Sequence, residues 1–469
     1  TRGVALQGTG SIAVSDTKLL TVAGSVADGA APGRLAKGGD GVLVLGTANT
    51  YTGGTTVTAG TLSISADNQL GTAPGVTTAG QLALNGGTLL ATQSFTLADN
   101  RGVALQGTGS VEVAATKVLT VAGAVADGAA QGSLAKTGDG TLVLGATDAY
   151  TGTTTVSAGQ LKLLGGDAIA DLAGLVTVNA AGTLVIGAAE TVSRIAGAGA
   201  LTLDATLTTG NGLDSIYSGA IGGLGGLIKQ GNGTLTLSNA AANTYEGSTT
   251  VSGGKLSISA DNQLGKVPAA ATPGQLTLKG GTLVATADMT LAAPRGVALQ
   301  GTGSIEVADT KTLTVAGTVA DGAAQGSLAK TGDGTLVLGV ANTYTGSTTV
   351  SAGKLSISDD NRLGPAPGVA TPGQLTLNGG TLVATADVTL AATRGVALQG
   401  TATIEVADTK LLTVEGVVSD GAAQGSLVKA GTGQLNLVAN NTYTGTTTVA
   451  AGQLKLLGGD AIADLAGLV

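Results

Sequence analysis

The sequence predicts an all-β protein folded as a parallel β-helix, that is, a β-solenoid. The first observation is composition, because 80 of the 469 residues are glycine, one is phenylalanine and none is tryptophan. Glycine is costly inside helices, so this content disfavours a helical protein. The second is a strand-like alternation of apolar residues. The third is a long internal repeat, which favours stacked units over one globular core.

Short segments with apolar residues two apart recur along the chain, such as "VALQG", "SIEVAD", "LTVAG", "TLVLG", "TTVSAG", "KLSIS", "QLTLN" and "TLVATAD". Pairs such as Leu336/Leu338 and Leu355/Ile357 give each segment one apolar and one polar face. Asp-Gly, Asn-Gly-Gly and Pro-Gly signals lie between the segments and predict turns. The best helix candidate is "DAIADLAGLV" from Asp167, and it predicts at most one short turn.

Two all-β architectures compete for this pattern. An outer-membrane barrel needs strands of about 9–11 residues and girdles of aromatic side chains. Six tyrosines and one phenylalanine cannot supply such girdles. A solenoid needs short strands, small residues at its corners and repeats that preserve register, and all three are present. Roughly 18–33 residues per coil would give roughly 15–25 coils.

The internal repeat is marked by tyrosines in "NTYTG" and its variants, which are separated by 99, 95, 99 and 99 residues. These tyrosines are Tyr51, Tyr150, Tyr245, Tyr344 and Tyr443. A second marker, "RGVALQG", begins at Arg2, Arg101, Arg295 and Arg394. The 99-residue unit is called A. The 95-residue unit, which lacks the arginine marker, is called B.

The units follow the order A, A, B, A, A and the start of another B, with a super-period of 293 residues. The segment "GQLKLLGGDAIADLAGLV" at Gly159–Val176 accordingly returns at Gly452–Val469. "VADGAAQGSLAKTGDGTLVLG" occurs unchanged at Val125–Gly145 and Val319–Gly339. The predicted organisation is one continuous solenoid over residues 1–469, cut as a window from a longer array. Its units are 1–51 (partial A), 52–150 (A), 151–245 (B), 246–344 (A), 345–443 (A) and 444–469 (partial B).

Charge and composition exclude several function classes. A net charge of −8, with 11% charged residues, does not provide the basic surface that nucleic acid or an anionic membrane requires. The absence of histidine and cysteine excludes Ser-His and Cys-His nucleophiles, disulfides and thiolate metal sites. Carboxylate chemistry of the polysaccharide lyase type remains open, but the charges recur in step with the repeat, as scaffold residues would. We therefore predict no enzymatic activity, no cofactor and no metal.

The repeat markers are the candidate site residues, and each has a structural and a binding interpretation. The arginines could bind a glycan carboxylate, but pairing with a nearby aspartate or carbonyl at a corner is favoured. The tyrosines could stack on sugars, but covering a loop is favoured. The motif asparagines Asn49, Asn243, Asn342 and Asn441 are expected to form an internal amide stack or to satisfy turn backbone groups. Asp359 and Asp360 could bind calcium, but a solvated turn is favoured.

The segment "GSLAKTGDGTLVLGVANTYTGSTTVSAGKLSIS", Gly326–Ser358, resembles the passenger-associated repeat of bacterial autotransporters. The shared pattern is a lysine before "GxGTLxL", followed by "NTYTGxTTVxxGxL". Similar copies lie at Gly33–Ser65, Gly132–Leu163, Gly226–Ser259 and Gly425–Leu456, with Asp148 and Glu246 as departures. The resemblance implies a right-handed parallel β-helix, export through an outer-membrane translocator barrel outside this chain, and display on a Gram-negative cell surface. It implies no catalytic residues.

Taken together, these features predict a stalk or fibre segment of a giant surface adhesin or extracellular filament that mediates adhesion, cell–cell contact or biofilm contact. The expected partners are copies of the chain itself, associating end to end or laterally, or glycans of host or neighbouring cells. The alternative is a repeated glycan- or ice-binding module on threonine-rich faces, with "TGTTTV" at Thr151 and Thr444 and "TGSTTV" at Thr345. A β-helical polysaccharide lyase is a third, weaker hypothesis.

Overall fold

The fold is described from a computed structural model, which describes residues 2–170 and 174–458. Parallel strands stack in about 20 turns, which confirms the predicted all-β solenoid. The described residues include three short 3-10 helices, at Asp67–Leu70, Asp261–Leu264 and Asp360–Leu363. The last of these lies where the sequence predicts a solvated turn at Asp359 and Asp360.

The chain divides into two compact units, the first formed by Thr1–Leu227 with Asn239–Glu246 and the second by Ile228–Ser238 with Gly247–Val469. The single continuous solenoid and the repeat boundaries therefore stay predictions. The first unit holds strands β1 (Val4–Ala13), β2 (Leu19–Val22), β3 (Val26–Gly38), β4 (Val42–Leu45), β5 (Thr55–Val57), β6 (Thr61–Ile64), β7 (Thr78–Asn85), β8 (Thr88–Ala91), β9 (Phe95–Leu97), β10 (Arg101–Val113), β11 (Val118–Val121), β12 (Val125–Thr137), β13 (Thr141–Leu144), β14 (Thr154–Leu163), β15 (Val176–Ile186), β16 (Glu190–Val192), β17 (Ile195–Gly197), β18 (Ala200–Leu203), β19 (Leu207–Thr209), β20 (Ser215–Tyr217) and β21 (Ile221–Gly223).

After β22 (Leu227–Lys229), the strands of the second unit follow. They are β23 (Thr234–Leu237), β24 (Thr249–Val251), β25 (Lys255–Ile258), β26 (Thr272–Lys279), β27 (Thr282–Ala285), β28 (Met289–Leu291), β29 (Arg295–Val307), β30 (Thr312–Val315), β31 (Val319–Thr331), β32 (Thr335–Leu338), β33 (Thr348–Val350), β34 (Lys354–Ile357), β35 (Thr371–Asn378), β36 (Thr381–Ala384), β37 (Val388–Leu390), β38 (Arg394–Val406), β39 (Leu411–Val414), β40 (Val418–Ala430), β41 (Gln434–Leu437), β42 (Thr447–Val449) and β43 (Gln453–Leu456).

The core of each unit is made of apolar columns that run through successive parallel strands. One column in the first unit is Leu43, Leu62, Leu89 and Val111. The equivalent column in the second unit is Leu336, Leu355, Leu382 and Ile404. Each of these side chains is at most 5% exposed, and burying one contributes about 1.5–3 kcal/mol. A single coil could not bury these faces, so stacking creates the core.

The longest strands join segments that the sequence suggested were separate. β29 runs through both "VALQG" and "SIEV" as one strand of 13 residues. Its register against β31 shifts between Leu299 and Gly301, and Gly301 has a φ of 62°. Glycine adopts this left-handed backbone without the penalty of a Cβ. The strand can therefore turn a corner at Gly301 without ending.

The helix candidate "DAIADLAGLV" lies partly outside the described residues, since positions 171–173 are not described. Residues 165–170 form bends and turns, and Asp167 has a φ of 58°. In the described part of this segment, the short turn is present and no helix forms.

Candidate functional site

The arginine marker anchors the three 3-10 helices through buried contacts. Arg394, at the start of β38, is fully buried. Its Nε donates to Asp360 Oδ1 at 2.7 Å and its Nη2 to Asp360 Oδ2 at 3.2 Å. The same guanidinium donates to the carbonyl oxygens of Leu363 at 3.1 Å and Gly364 at 2.8 Å. One side chain thus satisfies the carboxylate and the last carbonyls of a turn 30 to 34 residues earlier in the chain.

Two other arginines make the same set of contacts. Arg101 bonds to Asp67, Leu70 and Gly71, and Arg295 bonds to Asp261, Leu264 and Gly265. Arg2, the first member of the series, is exposed near the start of the described chain. The arginines thus meet both an aspartate and carbonyl oxygens, the partners expected at a corner, and all of them come from one 3-10 turn. The prediction of a solvated turn is wrong for the Asp360 side chain, because its carboxylate is bonded to a buried guanidinium.

The motif asparagines fasten neighbouring turns of the solenoid. Asn342 is 5% exposed, and its Oδ1 accepts a hydrogen bond from the Val319 amide at 2.8 Å. Its Nδ2 donates to the Arg362 carbonyl at 2.6 Å. The amide therefore bridges the turn 23 residues before it and the turn 20 residues after it. Asn49 makes the same two bonds, to the Val26 amide and the Gln69 carbonyl.

One corner of the solenoid has buried acidic side chains where the equivalent corners have an asparagine and an arginine. Asp148 stands where the other units have asparagine, and it is 4% exposed. Glu190, which is 2% exposed, accepts hydrogen bonds from the amides of Ala168 and Ile169 at 3.0 and 2.9 Å. The arginines bind the carbonyl oxygens of a turn, whereas Glu190 binds the backbone amides of a turn. This corner, where the predicted A unit 52–150 meets the B unit 151–245, therefore holds two buried acids and no arginine marker.

A buried lysine lies at a third kind of corner, where it donates to backbone carbonyl oxygens. The sequence-based expectations include no role for this residue. Lys330 stacks between Ile305 and Val350 in an apolar column, and it is fully buried. Its Nζ donates to three carbonyl oxygens, those of Thr331, Gly332 and Ala352, at 2.8, 2.6 and 3.2 Å. The same arrangement is made by Lys37, Lys136, Lys229 and Lys429. Burial lowers the pKa of Lys136 and of Lys330 to about 8, while nearby carboxylates act in the opposite direction.

The tyrosine markers are all fully buried, so their rings have no face open to a sugar. The Tyr344 hydroxyl and Thr348 Oγ1 are 2.6 Å apart, and Tyr51 and Thr55 make the same pair. Burial raises the pKa of Tyr51 and of Tyr344 to about 12, although the threonine bond and a neighbouring arginine act in the opposite direction. The rings therefore pack inside the coil beside the turn that carries them.

The threonines of the "TGTTTV" and "TGSTTV" passages bond to aspartates on the surface. Thr345 Oγ1 donates to Asp321 Oδ2 at 2.7 Å, and the Thr345 amide donates to Asp321 Oδ1 at 3.1 Å. Asp321 Oδ1 also accepts from the Gly326 amide at 2.8 Å. Thr151 and Thr444 make equivalent bonds to Asp127 and Asp420. The first threonine hydroxyl of each passage thus donates to the protein itself.

The remaining surface features are modest. Two equivalent hollows, 99 residues apart, are lined by small apolar and hydroxyl side chains, including Pro273 with Thr318 and Pro372 with Val417. Within the described ranges, no group of three or more acidic residues is placed to hold a metal ion. No helix in the part of the chain that the structure describes has the length and apolar character needed to cross a membrane.

The fold and its recurring lysine, asparagine and tyrosine contacts define a repetitive parallel β-solenoid. The passenger-associated-transport-repeat model matches residues 35–64, 134–163, 227–258, 328–357 and 427–456. Each match contains one of the buried lysines. The chain thus belongs to the autotransporter passenger-repeat family, as its resemblance predicted.

One curated relative is the Adhesin BmaC autotransporter of Brucella suis biovar 1 (strain 1330), which is 34% identical over 341 residues. The match covers 70% of this chain and 10% of that protein, so the chain spans about a tenth of the relative's length. No solved structure matched the chain.

Proposed function

We propose that this chain is a spacer segment of a secreted adhesin on the surface of a Gram-negative bacterium, and that it has no catalytic role. The observation that carries the proposal is the use of the buried polar groups. Lys330, Asn342 and Arg394 each bond to a neighbouring turn, and each recurs in step with the repeat. Polar groups used in this way stabilise the stacking of neighbouring turns.

The likeness to an autotransporter adhesin supports the surface location and the adhesive setting of this proposal. In such a protein, added turns would lengthen the structure without changing the contacts within each turn, because repeat proteins interact mainly between nearest neighbours. Adhesion would then depend on how far the spacer carries the binding region from the cell. The translocator barrel, glycans and copies of the chain itself remain predicted partners.

The proposal is tested by shortening the array in the full-length protein on its native cell. Deleting residues 346–444 joins Thr345 to Gly445 and removes one 99-residue period while keeping the repeat pattern. We expect unchanged surface amounts, a shorter projection in electron micrographs and weaker adhesion to the native target. The matched control is the double variant Thr345→Ala and Thr444→Ala, which keeps the length and changes only the threonine passages.

The two variants separate the spacer from the alternative binding module. Adhesion that follows length and ignores the threonines supports the spacer. Full adhesion after the deletion, with loss of adhesion or of glycan-array binding in the threonine variant, would instead favour the repeated glycan-binding module. A thermal-hysteresis measurement on the same two variants tests the ice-binding form of that alternative.

A further inference from the structure

The Asp148 corner of the first unit contains a buried oxygen that lacks a hydrogen-bond partner. Asp148 Oδ1 accepts from the Val125 amide at 2.7 Å. Oδ2 is buried and has no partner among the described residues. A buried ionised oxygen without a donor is costly, so this atom needs an explanation.

The equivalent asparagine indicates which carbonyl a donor at the position of Oδ2 would bind. The backbone amide of Asn342 donates to the Asn361 carbonyl, and its Nδ2 donates to the next carbonyl, that of Arg362. The backbone amide of Asp148 donates to the Asp167 carbonyl in the same way. The next carbonyl in this corner is that of Ala168. An asparagine can donate to it, whereas a carboxylate oxygen can do so only when it carries a proton.

The neighbouring groups also disfavour a charge on Asp148. The titratable groups that face it are Glu190, from β16, and Tyr150, two residues further along its own segment. Glu190 is itself buried, and each of its carboxylate oxygens accepts a backbone amide. Two buried carboxylates at one corner disfavour joint ionisation.

We propose that Asp148 carries a proton in the folded chain at neutral pH, and that this makes its corner a pH-sensitive joint that is strongest in acid. The equivalent corners that hold asparagine and arginine, such as that of Asn342 and Arg394, lack this sensitivity. As the pH rises, the solenoid would therefore lose stability at this one corner and not along its whole length. This regulatory property is independent of the proposed spacer function.

The direction of the pH dependence follows from linkage. Burial raises the pKa of Asp148 to about 8, the Val125 amide bond opposes this, and the Glu190 charge adds to it. An unfolded aspartate has a pKa of about 3.9, so between about pH 4 and pH 8 the open state binds fewer protons than the folded state. The stability of the corner therefore falls as pH rises through this range and levels off above pH 8.

The chain contains its own reference for the experiment. Residues 125–145 and 319–339 are identical in sequence, so all amides after the first residue of each copy have the same intrinsic exchange rates, but the first copy is held by Asp148 and the second by Asn342. Hydrogen–deuterium exchange with mass spectrometry can distinguish them in peptides that include Ala124 or Thr318. We expect protection of the first copy, divided by that of the second, to fall up to about tenfold per pH unit between pH 5 and 7.5.

The substitution Asp148→Asn tests the cause. The variant is expected to fold, because asparagine occupies the same position in the other units. It should make the protection ratio independent of pH and raise the protection of the first copy at pH 7.5. A flat ratio in the unsubstituted chain, or a slope that survives in Asp148→Asn, overturns the proposal.

Discussion

Arg394 and Asp360 form a buried, two-pronged ion pair across 34 residues of chain, with Nε–Oδ1 and Nη2–Oδ2 distances of 2.7 and 3.2 Å. The arginine is fully buried and the aspartate side chain is 18% exposed. Because the same guanidinium also holds two backbone carbonyls, the pair fastens a 3-10 helix to the strand of a later turn. This contact joins the two halves of each A unit.

Removing the carboxylate charge should therefore destabilise the second unit. We expect Asp360→Asn to lower the free energy of unfolding by roughly 3 kcal/mol, because it leaves a buried guanidinium without its counter-ion. Urea titration followed by circular dichroism measures the change. The control is Asp359→Asn, since Asp359 is exposed and its capping bond to the Asn361 amide can also be made by asparagine. Equal losses for the two variants would contradict the assignment.

The buried lysines give a second prediction. Lys330→Met keeps the apolar stem but leaves three carbonyl oxygens without their donor, and we expect a loss of roughly 3 kcal/mol in the free energy of unfolding. Lys354→Met is the matched control, because Lys354 is 46% exposed and pairs with Glu405 on the surface. Exposed pairs contribute at most about 1 kcal/mol. A control variant that loses as much as Lys330→Met would show that the carbonyl contacts carry little stability.

The strands and the repeat could be predicted from the sequence because both follow from short-range patterns. Leu336 and Leu338 alternate with polar residues, and the same alternation returns after every period. The same rule could also have placed Lys330 inside, since it stands two residues after the buried Leu328. The preference of lysine for the surface conceals this signal, and only the three carbonyls at the corner make its burial acceptable.

The partners of the polar residues could not be predicted, because they depend on which turn stacks on which. Arg394 was expected to meet an aspartate or a carbonyl, but a single sequence does not indicate that both come from a turn beginning 34 residues earlier. Asp148 was visible as a departure from the asparagine pattern. Its burial beside Glu190 depends on the stacking of three successive turns, which composition and spacing do not fix.

The close approach of β29 and β31 gives a third prediction. A Cβ added to Gly326 would lie 2.3 Å from Leu299 Cβ and 2.5 Å from the Leu299 carbonyl oxygen. The backbone would have to shift, so we expect Gly326→Ala to lower the free energy of unfolding by about 1–3 kcal/mol. Gly368→Ala, where a Cβ meets no atom within 4 Å, is the control and should change it by at most about 0.5 kcal/mol. Thermal unfolding of the two variants measures this difference in stability. Equal unfolding midpoints would contradict the prediction.

The buried tyrosines predict a loss of stability at alkaline pH. A phenol in the unfolded chain loses its proton near pH 10, whereas burial raises the pKa of Tyr51 and of Tyr344 to about 12. Between these values the folded state holds protons that the unfolded state has lost, so stability falls by about 1.4 kcal/mol per pH unit for each such tyrosine. Lys136 and Lys330 have the opposite effect, because burial lowers their pKa to about 8 and the folded state loses these protons first. Their contribution raises stability between about pH 8 and 10.5, and it is complete before the tyrosine effect reaches its full size.

Ultraviolet absorbance of tyrosinate and circular dichroism, recorded together from pH 8 to 13, measure this alkaline transition. The absorbance should stay low past pH 10 and then rise together with the loss of strand signal, because ionisation requires the coil to open. Tyr344→Phe keeps the ring but removes the group that ionises, and it should shift the transition to higher pH. The variant also leaves the Thr348 hydroxyl without its tyrosine partner, so its stability at pH 7 is measured first. A smooth tyrosinate titration centred on pH 10 with the strand signal intact would show that the rings are open to solvent.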